Sequence, residues 1–467
     1  MSDQTASETP VKSSKGFKRV LKTLDMTLFT VCAILVIDQL SASASIGVQS
    51  IFWWIFTLIF FFIPYGLITA ELGSTYPDQG GIYSWVQRAF GGRWGGRTAW
   101  FWWINVAFWQ PSVYIIFTGI FAQLFMPDLG LWPQIGIAIV LTWITTYINM
   151  IALDAGKWVP NIGAVFKAVI MGALGFGGIW YAMEHGVANP ITLETLTPSW
   201  GASLAFLPVI IYNFMGFELM SGAAEEMKNP ARDVPKAIIT SGVIIAAFYL
   251  LGTIGILLSL PMEDIGLING VMDTFSKLFG GSAFGPAIVM TLGLMALYTF
   301  VANMVTWTMG ANRSASEAAH DGHLHPIFAK LSTTHKTPTN AAIVTGIVTT
   351  VVIITYGFMA KSAEDLFWTL FAFSSVVFLL CYLLMFAAFL RLRTIDSDRP
   401  RAYRVPGGTV GAWVMGLLCI GFMVQAIVFF IYTPGAFDIK YAATIIGGVI
   451  VTAIVGEFLI SRGKPLS

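Results

Sequence analysis

Residues Leu35–Ser50 read LVIDQLSASASIGVQS: an acid, three alternating serines and a glycine inside an otherwise apolar run. A second run, Ile210–Pro230, reads IIYNFMGFELMSGAAEEMKNP, with Gly216 at its centre and Asn213 and Glu218 on either side. Each run is too polar to cross hydrocarbon as an ordinary span and too apolar to be a loop. Both read as membrane helices with an interruption, which leaves backbone groups open to a ligand at mid-membrane depth. The alternative is small residues serving close helix packing.

The rest of the chain explains why membrane is the right solvent. Of 467 residues, 56% are hydrophobic and 11% charged, against roughly 25% charged in soluble domains. That is too little charge to cover a water-facing surface. The net charge of +1 gives no field for nucleic acid. The three cysteines, Cys32, Cys381 and Cys419, lie in apolar runs and read as small packing residues, not disulfides.

Apolar runs predict twelve spans at 26–46, 50–73, 98–126, 131–152, 159–183, 203–222, 237–260, 284–309, 340–358, 366–390, 410–432 and 440–461. The tails are 1–25 and 462–467. The N-terminal tail resembles a signal-peptide n-region, but the apolar run after it is too long for an h-region, so it reads as an uncleaved cytoplasmic tail. With that end inside, only Lys277, Lys361 and Lys440 fall in outer loops, and Lys167 falls within a span. The other Lys and Arg residues, of 26 in all, lie on the inner side. This bias predicts a cell-membrane protein with both termini cytoplasmic.

The interruptions fall in the first and sixth spans. Five spans apart, they occupy equivalent places in two halves, the signature of an inverted repeat with a shared central site. Repeat one is read over 26–183, repeat two over 203–358, and helices 11–12 over 410–461, all in one transmembrane domain.

Three further motifs carry a family resemblance: AELGSTYPDQGGIYSWVQRAFGGRWG (Ala70–Gly95), GFELMSGAAEEMKNPARDVPKAI (Gly216–Ile238), and NRSASEAAHDGHLHPIFAKL followed by TPTNA (Asn312–Ala341). In order and spacing they resemble the amino acid–polyamine–organocation transporters. FFIPYGLITAELG (Phe61–Gly73) is most similar to the glutamate–GABA antiporter branch. The resemblance implies an all-α membrane protein with a LeuT-type 5+5 inverted repeat, broken helices 1 and 6, alternating access, and a site between spans 1, 3, 6, 8 and 10. The cargo it implies is an amino acid or its amine derivative. Two departures leave that cargo open. The first span has SASASIG where the family commonly has G-S/T-G-I-F, and the chain stops soon after its last span, so no C-terminal plug is expected.

The candidate substrate-binding residues are Asp38, Ser41, Ala42, Ser43, Trp109, Gln110, Tyr212, Asn213, Gly216, Phe217, Tyr298 and Trp307, with Phe371 and Phe373 as further candidate pocket aromatics. A carboxylate in a span is costly unless paired or wet. Asp38 therefore reads as a ligand for a substrate ammonium, or as a partner for Lys167 or backbone amides. Aromatic rings over an ammonium give cation–π contacts. The coupling or gating candidates are Lys167 and Glu218. In some sodium-independent relatives a lysine at the matching position replaces a sodium ion, and a buried lysine can also gain and lose a proton. Glu218 reads as a coupling residue or as an acid that stabilises the break. Glu71, Glu225, Glu226, Arg232, Asp233, Arg313 and Asp321 read as gate ion pairs or as solvated helix ends. The loop histidines 320, 323, 325 and 335 suggest no metal site, and no cofactor is expected. The expected partners are the substrate, lipid and protons. With no nucleotide-binding loop or hydrolase signature, the chain reads as gradient-driven and not enzymatic; a channel or a non-transporting sensor are the other classes left open.

Overall fold

Hydrocarbon offers a backbone amide no partner, so each crossing segment must close its own hydrogen bonds, as a helix does. A computed structural model of the chain describes residues 22–37, 39–78, 80–151, 158–198, 207–227, 229–266, 269–432 and 437–465, the side chains of 222–226 and 364–365 excepted. Among these residues there are helices and no strands. Asp38 and the first 21 residues lie outside them.

The first expected span is two short helices, α1 (Thr23–Ile34) and α2 (Leu40–Ala44). Next come α3 (Gln49–Thr75), the short α4 (Ile82–Phe90), α5 (Gly92–Phe125), α6 (Leu131–Met150) and α7 (Trp158–His185). The sixth expected span begins with α8 (Leu207–Asn213) and continues, after a gap, as a 3-10 segment, Phe217–Glu226. There follow α9 (Pro230–Ser259), the short α10 (Gly270–Phe279), α11 (Gly285–His320), α12 (Thr339–Gly357), α13 (Ala363–Ile395), α14 (Gly408–Ile431) and α15 (Ile439–Ser461). Ten helices among the described residues are long and apolar enough to cross a membrane, and the chain is a multi-pass membrane protein. They answer to ten of the twelve expected spans. The other two are the pair expected to be broken, and both are interrupted.

The first interruption is upstream of its expected place. Helix α1 stops at Ile34, and Leu35 and Val36 belong to no helix before α2 begins at Leu40. The serine run, expected to unwind, is instead helical: Ser43 and Ser45 turn their hydroxyls back onto the carbonyls of Leu40 and Ala42, both at 2.8 Å. The second interruption is where glycine put it. Gly216 has φ +132°, a conformation closed to most side chains. A β-carbon there would meet Ile34 Cγ1 at 3.0 Å and Trp307 Cζ2 at 3.1 Å. The two breaks therefore touch.

Two prolines shape the walls around them. Pro111, inside α5, cannot donate to Ala107 four residues back. Thr349 of α12 supplies that bond instead, at 3.0 Å. Pro64 follows a π-turn, Leu58–Phe62, in α3, a local widening that takes up the lost amide bond and precedes Tyr65. Helix α1 packs against α7, α9 and α11, and α5 packs against α11 and α13. The interrupted segments are thus enclosed, while exposed side chains such as Phe176, Val243 and Phe458 coat the outside.

Candidate functional site

A helix that stops inside a membrane leaves its last four carbonyls without partners. In α1 all four are answered. Val31 O accepts from the Leu35 amide at 2.9 Å. Cys32 O accepts from Lys167 Nζ at 2.6 Å, Ala33 O from Trp307 Nε1 at 3.0 Å, and Ile34 O from the Tyr249 hydroxyl at 2.5 Å. Tyr249 also accepts from the Val36 amide at 2.9 Å and stands 3.1 Å from Asn213 O, at the end of α8. One hydroxyl on α9 thus ties both breaks. Lys167 is 1% exposed and also donates to Asn303 Oδ1 at 3.0 Å. Its amine joins α7, α1 and α11 at a helix C-terminus, where positive charge is favoured.

The second break is held by a different pair of tyrosines. Tyr65 accepts from the amides of Gly216 and Phe217, each at 2.9 Å, and donates to Glu218 Oε2. Tyr382 of α13 donates to Glu218 Oε1 at 2.5 Å. Glu218, fully buried, therefore joins the 3-10 segment to α3 and α13. Of its two readings, this geometry provides the stabilising contacts directly.

Beside the breaks stands a box of aromatic rings. Trp109 of α5 meets Tyr212 of α8 at 5.8 Å and Trp307 of α11 at 5.3 Å. Tyr212 meets Phe371 and Phe378 of α13 at 5.1 and 5.3 Å, and Phe378 returns to Trp307 at 5.4 Å. The contacts are edge-on or tilted, and every ring is buried. Two polar groups here lack partners among the described residues: the indole N–H of Trp109, and both amide atoms of Asn213. Buried polar atoms left bare are costly and call for an explanation. Aromatic faces with unspent donors and an acceptor suit a small polar or cationic ligand.

The structure brings together Trp109, Tyr212, Asn213, Gly216 and Trp307, with Phe371 among them. Gln110, next to Trp109 in α5, is buried, and both its amide atoms lack hydrogen-bond partners among the described residues. Other expected residues are turned elsewhere. Ser43 spends its hydroxyl on its own helix, and Ala42 is buried in α2. Ser41 faces α10, where a β-carbon on Gly270 would stand 2.8 Å from its Oγ. Phe217 stacks on Phe62 at 4.9 Å, away from the box. Tyr298 donates to Val159 O at 3.2 Å and packs on Phe166. Phe373 meets Phe108. Of the gate candidates, Glu71 pairs with Arg393 at 2.5 Å and Arg401 at 3.1 Å; Asp233 accepts from Thr23 at 3.0 Å, and Asp321 from Tyr83 at 2.7 Å. Asp38, and the side chains of Glu225 and Glu226, lie outside the described residues. Sequence reading missed Tyr65, Tyr249, Tyr382, Phe378 and Asn303. A hydroxyl or amide in mid-span, far from the interfacial aromatic belt, was the available signal.

The sequence pattern of the amino acid permease family matches residues 21–455. The chain is 34% identical over 440 residues to the probable agmatine/putrescine antiporter of Lactococcus lactis, covering 93% of each protein. It is 25% identical to the glutamate/gamma-aminobutyrate antiporter of the same organism, over 91% of this chain and 87% of that one. To a probable polyamine transporter of Arabidopsis thaliana it is 26% identical over 76% of this chain and 67% of the relative.

Proposed function

The chain belongs to the amino acid permease family, and on that premise we propose that this transporter exchanges an amino acid or amine across the cell membrane without sodium. The substrate sits in the aromatic box beside the breaks. The carrying observation is the pairing of those rings with the bare amide of Asn213, beside the end of α1, whose last carbonyls are answered. Cationic amines are the first candidates. The relative named as an agmatine/putrescine antiporter supports them, as does an acid at position 38, in the interval between α1 and α2. Asp38 is assigned to the substrate ammonium, with Trp109 and Trp307 offering ring faces.

The fold proposed is the twelve-span LeuT-type 5+5 repeat, with α1–α2 as span 1 and α8 with its 3-10 segment as span 6. The Lys and Arg bias supports a cytoplasmic position for both termini. Lys167 takes the place of a coupling cation: its ammonium lies where three helices converge on a helix C-terminus. Glu218, clamped by two hydroxyls, links the break to α3 and α13 as the site opens to one side or the other, and protons are the candidate co-ion.

Uptake of labelled putrescine into liposomes containing the protein tests this reading. In sodium-free buffer, uptake is expected to saturate and to run faster when the liposomes are pre-loaded with unlabelled amine. A strict sodium requirement would remove the assigned role of Lys167. Unsaturable flux would indicate a channel, and binding without flux a sensor.

A further inference from the structure

On the outer wall, α3 and α9 part to leave an apolar groove of about 370 Å³, lined by Leu58, Ile63, Ile239 and Val243 among others. Two glycines make the space. A β-carbon on Gly66 would meet the Phe217 ring at 3.2 Å, and one on Gly242 would meet it at 3.5 Å. The floor of the groove is therefore Phe217, the residue between Gly216 and Glu218, whose amide is bonded to Tyr65. The groove opens outward: Ile63, Ile239 and Val243 are 48%, 51% and 68% exposed.

The chemistry changes in an ordered way along α9. Arg232, Lys236, Ile239 and Val243 follow at i, i+4, i+7 and i+11, which places them on one stripe of the helix. The first two are exposed cations and the last two line the groove. The groove runs along α9 from Ile238 to Ala246, about 12 Å at 1.5 Å per residue. That is close to one leaflet of a hydrocarbon core about 30 Å thick. A charged head and an apolar tail thus have adjoining places at the depths where a lipid carries them.

We propose that this groove is a binding site for an anionic phospholipid, with its phosphate at Arg232 and Lys236 and one acyl chain lying against Phe217. The chain fills the space left by Gly66 and Gly242 and backs the ring that stacks on Phe62. Because Phe217 leads into Glu218, an occupied groove favours the conformation described here over one in which the 3-10 segment swings outward.

Thermal unfolding of the purified full-length protein in detergent tests this, with phosphatidylglycerol and phosphatidylcholine of the same chains added in parallel. Phosphatidylglycerol is expected to raise the midpoint more than phosphatidylcholine. Arg232→Gln with Lys236→Gln, both at exposed positions, should erase that preference. Val243→Trp, at the exposed rim, should weaken stabilisation by both lipids. Glycerol 3-phosphate, which has the charge without the chains, should give no shift. Equal stabilisation by the two lipids, a preference that survives the double substitution, an unchanged response in Val243→Trp, or a full effect of glycerol 3-phosphate would each overturn the proposal.

Discussion

Lys167→Met is expected to abolish transport and to lower the thermal midpoint of the purified protein. Methionine nearly matches lysine in length but brings no donor. Cys32 O and Asn303 Oδ1, which accept from Lys167 at 2.6 and 3.0 Å, would then be bare inside the protein. A buried acceptor that loses its partner costs about 1–3 kcal/mol, and the last turn of α1 would also lose the positive charge that its dipole favours. Relief of burying an ammonium offsets part of that cost. The transport loss follows because α1, α7 and α11 meet at this one amine. Unfolding in detergent and liposome uptake measure the two effects separately. Wild-type uptake by Lys167→Met would remove the lysine from the mechanism, and an unchanged midpoint would remove it from the architecture.

Asp38→Asn is expected to abolish amine uptake at substrate concentrations near the wild-type KM while leaving the unfolding midpoint in place. Asparagine keeps the shape and loses the charge. A charge-assisted hydrogen bond contributes about 1.5–3 kcal/mol, which corresponds to roughly ten- to hundredfold in affinity. If Asp38 instead braces the protein, the midpoint falls along with uptake. Paired measurement of the two separates a substrate ligand from a structural acid, and wild-type uptake would sink the ligand role.

Much of the fold could be read from the chain because lipid imposes a single demand, a long apolar helix, and hydropathy reports it directly. Gly216 was legible for a similar reason: a glycine between Met215 and Phe217 in mid-span marks a conformation that other residues resist. The first break was placed too far along. Leu35, Val36 and Ile37 look like any helix, and the serines, whose small polar run reads as the break, are the part that stays helical. What ends α1 is the set of partners waiting for its carbonyls on α7, α9 and α11, between 135 and 274 residues away, and no local pattern encodes that. The site was legible in its aromatic types but not in their directions. Trp109, Tyr212 and Trp307 face one another, whereas Phe217 and Tyr298 do not. The three tyrosines that hold the breaks carry only a faint signal, because each is one hydroxyl on an otherwise lipid-like helix.

The central claim is that substrate occupies the box beside the two breaks. Alkylation of Asn213→Cys by a small thiol reagent, in a background with Cys32, Cys381 and Cys419 replaced by alanine, tests it most directly, since position 213 carries the unsatisfied amide and is reached as the site opens in exchange. With the variant's exchange activity established, saturating amine is predicted to slow labelling at this position. Labelling at the same rate with and without amine, in a variant that still exchanges it, would place the substrate elsewhere.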